Sequence, residues 1–103
     1  MPVNTTRAID YGSATISTTA LALASITGIV QASVDIASRI RVTVNSNAVR
    51  YRYDGGTPTT SDGHFASTTV NNNFVIEGNA NIQDFRIIRD GALDATVSIT
   101  VEQ

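Results

Sequence analysis

The residue types that could support chemistry crowd into residues 48–65, which read AVRYRYDGGTPTTSDGHF and hold the only histidine of the chain. Ser61, Asp62 and His64 are the types of a hydrolytic triad, in which a nucleophile, a base and an orienting acid must lie within mutual reach. Three neighbours in one predicted loop do not set up that geometry, and no G-x-S-x-G elbow occurs. We therefore expect no catalytic residue, and we interpret His64 as a loop histidine that packs beside Phe65.

Aspartates in predicted loops could bind a cation through clustered oxygens. Asp54, Asp62, Asp90 and Asp94 lie in such loops, but no D-x-[DN]-x-[DN]-G calcium loop is present. Asp54 and Asp90 each precede a glycine, as ordinary turn formers do. The chain has no cysteine, which excludes thiolate sites, and it has no phosphate-binding or dinucleotide-binding glycine motif. We expect no metal and no cofactor.

The basic residues of the chain are seven arginines, and the formal net charge is −2. This balance gives no basis for nucleic-acid binding, which depends on many contacts between basic side chains and phosphates. Arg39 and Arg41 share the polar face of one predicted strand, and Arg50 and Arg52 share that of the next. If NSNA is a tight hairpin, the four side chains lie side by side on one sheet. They either pair with nearby carboxylates or form a patch for an acidic protein partner.

The elements that position these residues are predicted strands, because apolar and polar residues alternate with a period of two. FRIIRDG carries apolar side chains on both faces, so this strand is central or meets a partner. GSATIS is a weaker strand. The residues predicted to face inward are Ile40, Val42 and Val44 in SRIRVTVN, Val49, Tyr51 and Tyr53 in AVRYRY, Phe74 and Ile76 in NFVIEG, and Ala95, Val97, Ile99 and Val101 in DATVSITVEQ.

Strands that recur about every ten residues with turns between them predict an all-β fold, a small antiparallel β-sandwich that is jelly-roll-like. The length of 103 residues fits a single domain, with the sandwich over residues 13–103 and an extended N-terminal arm over residues 1–12. Within the sandwich, residues 19–24 are predicted to form a strand, followed by an irregular or short helical connection that ends near Ser38. No apolar run has the length of a membrane span or of an export signal.

The block VRYRYDGGTPTTSDGHF resembles a pattern in small virion proteins of tailed bacteriophages. In that pattern an arginine-bearing strand runs into Y/W-R-x-DG-x-x-PT, then a glycine, then an apolar residue. FVIEG, IQDFRII and ATVSITVEQ resemble later strands of the pattern, so the match covers about residues 37–102. The positions that fit the first block are Val49, Arg50, Tyr51, Arg52, Asp54, Gly55, Pro58, Thr59, Gly63 and Phe65.

The resemblance implies a non-enzymatic virion structural protein, assembled in the host cytoplasm, that decorates the capsid and stabilises it by bridging capsid subunits. It implies the major capsid protein or other virion proteins as partners and a homotrimer, and from the charge and the absence of an apolar span we expect no direct contact with nucleic acid or membrane. A tail or neck position is the alternative. A looser resemblance to the Y-T-x-DG-x-x-PT hairpin of β-sandwich modules on carbohydrate enzymes leaves carbohydrate or receptor binding open. The expected partner-binding residues are Arg39, Arg41, Arg50, Arg52, Asp54, Asp62, His64 and Phe65.

Overall fold

The computed structural model describes residues 7–103, which form two four-stranded sheets. Sheet A has the strand order β1-β8-β3-β6, and sheet B has the order β2-β7-β4-β5. All strand pairs are antiparallel. The strands are β1 (Ala8–Ile16), β2 (Leu21–Ala22), β3 (Arg39–Ser46), β4 (Ala48–Arg52), β5 (His64–Ser67), β6 (Asn73–Glu77), β7 (Arg86–Arg89) and β8 (Ala95–Glu102).

The first strand pairs with the eighth, the second with the seventh, the third with the sixth, and the fourth with the fifth. One long hairpin rolled into two sheets has these same strand pairs. This is the jelly-roll arrangement, in which eight strands form two packed sheets. The predicted small antiparallel β-sandwich is therefore confirmed. β7 lies inside sheet B between β2 and β4, as its two apolar faces indicated.

The core lies between the sheets and is built from the inward-facing residues of the alternating strands. Burying one such Val, Leu, Ile or Phe side chain contributes about 1.5–3 kcal/mol. Of the twelve positions predicted to face inward, ten are buried, and the two tyrosines of AVRYRY are less buried than expected. The buried members of the predicted set are Ile40, Val42, Val44, Val49, Phe74, Ile76, Ala95, Val97, Ile99 and Val101, and in the weaker strand GSATIS Ile16 is buried and Ala14 is partly buried.

Two short helices close one end of the sandwich. A 3-10 turn (Leu23–Ser25) and α1 (Gln31–Ile36) lie between β2 and β3, which confirms the predicted short helical connection. A second helix, α2 (Asn79–Gln83), was not predicted, because EGNANI has the composition of a turn. Within residues 7–103, no helix has the length and apolar character needed to cross a membrane.

β1 begins at Ala8 and pairs with β8, so residues 8–12 of the predicted arm belong to sheet A. The predicted boundary at residue 12 is wrong for this part, and residues 1–6 lie outside the described residues. The alternation was not recognisable because Gly12 occupies an inward position. A Cβ there would collide with the carbonyl oxygen of Thr27 and crowd Ile29, so the connection to α1 packs where a side chain would otherwise stand.

Candidate functional site

The four arginines expected on one surface lie on two different sheets. Arg39 and Arg41 belong to β3 in sheet A, and Arg50 and Arg52 belong to β4 in sheet B. The predicted NSNA hairpin is wrong, because Asn47, at φ 58°, carries the chain from one sheet to the other. Asparagine tolerates this left-handed conformation, so Asn47 marks a turn. The residue type does not specify which strand pairs with the strand that follows the turn.

On sheet A, the two arginines converge on one carboxylate. Arg39 Nε contacts Glu102 Oε1, and Arg41 Nε donates to Glu102 Oε2 over 3.1 Å. The hydrogen bond from Arg39 is the main cause that holds the pKa of Glu102 below its usual value, and the charge of Arg41 adds to it. Arg41 keeps 46% of its side chain exposed, so it is the more accessible of the two cations.

The outer face of sheet A, which we call the A face, carries one further charged residue beyond this group, the exposed Glu77 opposite Arg39. Tyr11 lies opposite Thr100, Thr100 opposite Arg41, and Arg41 opposite Val75, so one row crosses all four strands. Neighbouring strands lie about 4.8 Å apart, so the row spans roughly 14 Å. Tyr11 is 57% exposed at one end of it. The other uncharged polar residues of the A face are Ser13, Thr15, Thr43, Asn45, Asn73, Thr96 and Ser98.

A shallow depression of about 480 Å³ lies on the β1 side of the A face. Its lining carries hydroxyl and amide groups and no charged side chain. Asn45 Nδ2 donates to Ser98 Oγ over 2.7 Å, and the hydroxyls of Ser46 and Thr96 lie 2.8 Å apart. These groups already bond to one another, so a partner that docks here meets an organised, neutral surface rather than a set of unpaired charges.

On sheet B, the Asp-Gly-Gly turn is organised around Arg52. The guanidinium donates to both carboxylate oxygens of Asp54, over 3.0 and 2.6 Å, and Gly56 N donates to Asp54 Oδ1 over 3.1 Å. These hydrogen bonds, that of Arg52 first, lower the pKa of Asp54 to about 2. Gly55 has φ 87°, a conformation that favours glycine, and a Cβ on Gly56 would displace the Arg52 guanidinium from its place beside Asp54.

Arg50 fastens the loop of residues 53–63 over the outer face of sheet B. Its Nε donates to Asp90 Oδ1 over 2.6 Å, and its Nη1 donates to the carbonyl of Gly63 over 3.1 Å. The guanidinium carbon lies 5.1 Å from the centre of the Phe65 ring, which is cation–π distance. Pro58 is buried under the same loop. Arg50 and Phe65 therefore hold this loop in place and do not form an open docking patch.

His64 is the first residue of β5 and stacks with tyrosines, so the prediction of a loop histidine beside Phe65 is wrong. Its ring lies 5.3 Å from that of Tyr51 and 5.6 Å from that of Tyr53. Tyr51 in turn stacks on Phe74 across the sandwich, with ring centroids 4.1 Å apart, and burial raises the pKa of Tyr51. Tyr53 follows the end of β4 and is 37% exposed, so its predicted place in the core is also wrong.

A hollow of about 200 Å³ lies beside this stack and is lined by Arg52, Tyr53, Asp54 and His64. Asp62 lies next to it, in a bridge with Thr59. The structure thus brings four of the expected contact residues together at the β4–β5 end, namely Arg52, Asp54, Asp62 and His64. Within residues 7–103, no three His, Cys, Asp or Glu side chains are grouped as a metal site would need.

The expected contact residues fall on three separate surfaces: Arg39 and Arg41 on the A face, Arg50 and Phe65 under the covering loop, and the remaining four beside the hollow. Sequence reasoning missed Glu102 and Asp90 as the partners of these arginines. The strand alternation that places Thr96 outward also places Glu102 outward, so a signal for its pairing with Arg39 was present. Comparisons with protein-family models, with curated proteins and with solved structures find no match to this chain.

Proposed function

We propose that this protein is a virion structural protein that decorates a tailed-phage capsid and stabilises it by bridging capsid subunits. The resemblance of residues 37–102 to small virion proteins supplies the virion context. Jelly rolls occur in viral capsid proteins as well as in lectins, so the fold agrees with this context without selecting it. The observation that carries the choice of a protein-binding role is the chemistry of the A face.

The A face exposes a tyrosine and an arginine on a surface of mostly neutral polar side chains, and so shares two residue types with the centre of a protein interface. Such centres are poor in charge and rich in aromatic residues and arginine, and a few tyrosine and arginine side chains supply most of the binding energy. Tyr11 and Arg41 are the exposed tyrosine and arginine of the A face, with Thr100 between them. Thr and Ser side chains surround them and cost little side-chain entropy on docking.

Decoration requires only binding free energy. A protein that binds the assembled shell and not its separated subunits stabilises the shell by mass action. Bridging requires that the A face, which is four strands wide, contacts two capsid subunits at once. In this proposal Tyr11 and Arg41 are the anchors, and the loop of residues 53–63 is held against the sandwich and takes no part. The homotrimer implied by the resemblance stays a prediction.

Sedimentation of labelled protein with purified capsid shells tests this proposal. We expect wild-type protein to pellet with shells and Tyr11→Ala to lose most of that binding, because a tyrosine anchor contributes at least about 2 kcal/mol, or roughly 30-fold in affinity. Leu93→Ala is the matched control, since Leu93 is an equally exposed large apolar residue, at 64%, but lies in the β7–β8 turn. Loss of binding in the Leu93 variant alone would contradict a role for the A face.

Two alternatives are distinguished by the same protein samples. Binding to isolated tail tubes or necks, and not to shells, would assign the chain to the tail or neck. A neutral saccharide is the second candidate ligand, because the depression on the A face offers hydroxyl and amide groups beside one exposed ring, that of Tyr11. Glycan-array binding that Tyr11→Ala abolishes would favour this candidate, and an array without hits would dismiss it.

A further inference from the structure

The outer edges of the two sheets are protected to different degrees. An exposed strand edge presents unpaired N–H and C=O groups that can pair with another chain. Along β1, Ser13 N donates to the carbonyl of Thr27 over 3.2 Å, so the connection to α1 covers part of this edge. Along β5, Ser67 N donates to the carbonyl of Val70 over 2.7 Å. β2 is only two residues long.

β6 pairs with β3 along one of its two edges. The hydrogen bonds at the two ends of β6 show which of its residues point their backbone groups towards β3. Gly78 N donates to Ser38 O over 2.9 Å at one end, and Val44 N donates to Asn72 O over 2.8 Å at the other. Residue pairing between β3 and β6 runs without a register shift between these points. Backbone groups alternate between the two edges of a strand, so the even-numbered residues of β6 bond to β3 and the odd-numbered residues face away.

The odd-numbered residues are Asn73, Val75 and Glu77, and all three are exposed. Among the described residues, none of their N–H groups donates to a backbone or side-chain acceptor, and only the carbonyl of Glu77 has a partner, Asn81 Nδ2 at 2.9 Å. The open edge is therefore a regular series of donors and acceptors over the five-residue length of β6.

Glu77, at the C-terminal end of β6, is the one charged residue of this edge, and the other usual means of protection are absent from it. Natural edge strands are interrupted by lysine, proline or a β-bulge, or are covered by another segment. β6 reads NFVIE, has no bulge against β3, and belongs to a chain without lysine. Val75, at its centre, is 40% exposed.

We infer that β6 pairs with β6 of a second copy of this chain, antiparallel and centred on Val75, to join two A sheets into one continuous sheet. In this register Val75 and Val75 of the second copy exchange both backbone hydrogen bonds, as directly opposed residues of a hydrogen-bonded antiparallel pair do. The contact is isologous, so it closes at a dimer and does not propagate.

The side chains of β6 agree with this register. Each Glu77 comes to lie opposite Asn73 of the second copy, and the two exposed valines meet at the centre. A parallel arrangement in register would instead place the two Glu77 carboxylates side by side, and like charges directly opposed destabilise a sheet. The charge pattern therefore selects the antiparallel pair, and this inference does not depend on a place in the virion.

Mass measurement by light scattering during size exclusion tests the inference on the full chain. Wild-type protein is expected to elute at twice the chain mass of 10.9 kDa. Val75→Pro removes an N–H that faces the open edge, a position where an edge strand tolerates proline, and should give a monomer. Val75→Lys should also give a monomer, and it replaces the proline variant in this test if that variant does not fold. Val75→Thr is the control, because it keeps the N–H and the strand preference and should stay dimeric.

Amide hydrogen exchange locates the contact. The Asn73 and Glu77 amides should exchange slowly in the wild-type dimer and at least about tenfold faster in Val75→Lys, because within residues 7–103 of the monomer these amides have no acceptor. A wild-type monomer at millimolar concentration, a trimer, or a dimer in which Val75→Lys and Val75→Pro leave both mass and exchange unchanged would overturn the inference. A trimer would instead support the oligomeric state implied by the resemblance.

Discussion

Arg50 on β4 donates from Nε to Oδ1 of Asp90, the residue that follows β7, over 2.6 Å. This pair joins two neighbouring strands of sheet B where the loop of residues 53–63 folds back over them. Gly91 N donates to the carbonyl of Thr60 over 2.9 Å beside it, so the loop and the β7–β8 turn are fastened together. The arginine that seemed available for a partner is thus engaged within the chain.

Replacement of Arg50 should cost more stability than replacement of Arg52, although both belong to β4. About a quarter of the Arg50 and Asp90 side chains is exposed, whereas 61% of Asp54, the partner of Arg52, is exposed. Hydrogen bonds to charged groups contribute about 1.5–3 kcal/mol when shielded, and exposed ion pairs contribute about 0–1 kcal/mol. We expect Arg50→Gln to lower the free energy of urea unfolding by about 2 kcal/mol and Arg52→Gln to lower it clearly less. Equal losses would contradict this assignment.

The stability of the protein should fall at acidic pH, in part through Asp10. Tyr11 N and Val30 N donate to its two carboxylate oxygens over 2.9 and 3.1 Å. The Val30 hydrogen bond is the main cause that lowers the pKa of Asp10 below 3.8, and a bond from Ser33 adds to it while burial acts in the opposite direction. A carboxyl whose folded pKa is depressed stabilises the protein above the unfolded pKa and loses that contribution as pH falls through the folded pKa.

Urea unfolding between roughly pH 5 and pH 2 measures this contribution. We expect the unfolding free energy of wild-type protein to fall more steeply over this range than that of Asp10→Asn, which has no charge to lose at this position. Asp54, with a pKa of about 2, titrates in both proteins and cancels in the difference. Identical slopes for the two proteins would show that Asp10 makes no contribution.

The sequence predicted the fold well where the period of two was complete. Val42 and Ile99 alternate with polar neighbours along long strands, and both are fully buried as expected. The signal failed at Gly12, where the inward position holds no side chain and β1 was taken for an arm. It also failed at Tyr53, because the alternation was extended by one residue beyond the end of β4, where the Asp-Gly-Gly turn begins.

The candidate site was harder to predict, because it depends on which strands are neighbours. Asn47 marks a change of direction, but a hairpin and a crossing to the other sheet use the same local turn chemistry. The choice follows from burial, since Val44 and Val49 must face one core from opposite sheets. The partners of Arg39 and Arg50 lie 63 and 40 residues further along the chain, so only the assembled topology brings them together.

Replacement by alanine should cost different amounts of stability at two glycines that lie in different surroundings. A Cβ on Gly12 would collide with the carbonyl of Thr27, whereas a Cβ on Gly91 would meet no atom within 4 Å. Gly91 has φ 66°, so its replacement adds only the left-handed strain of about 1–2 kcal/mol. We expect Gly12→Ala to cost clearly more, about 3 kcal/mol or above, because the segment that covers β1 must move. A thermal melt of both variants measures the difference, and a Gly12 variant as stable as wild type would contradict the close packing of β1 and this segment.

The most direct measurement of the proposed function is the temperature at which purified capsid shells dissociate, with and without saturating protein. Binding to the assembled shell alone must raise this temperature, and the rise must depend on protein concentration. We predict a rise with wild-type protein and with Leu93→Ala, and none with Tyr11→Ala at the same concentration. A dissociation temperature that wild-type protein leaves unchanged, although the protein itself is folded, would contradict the proposal that it decorates and stabilises the capsid.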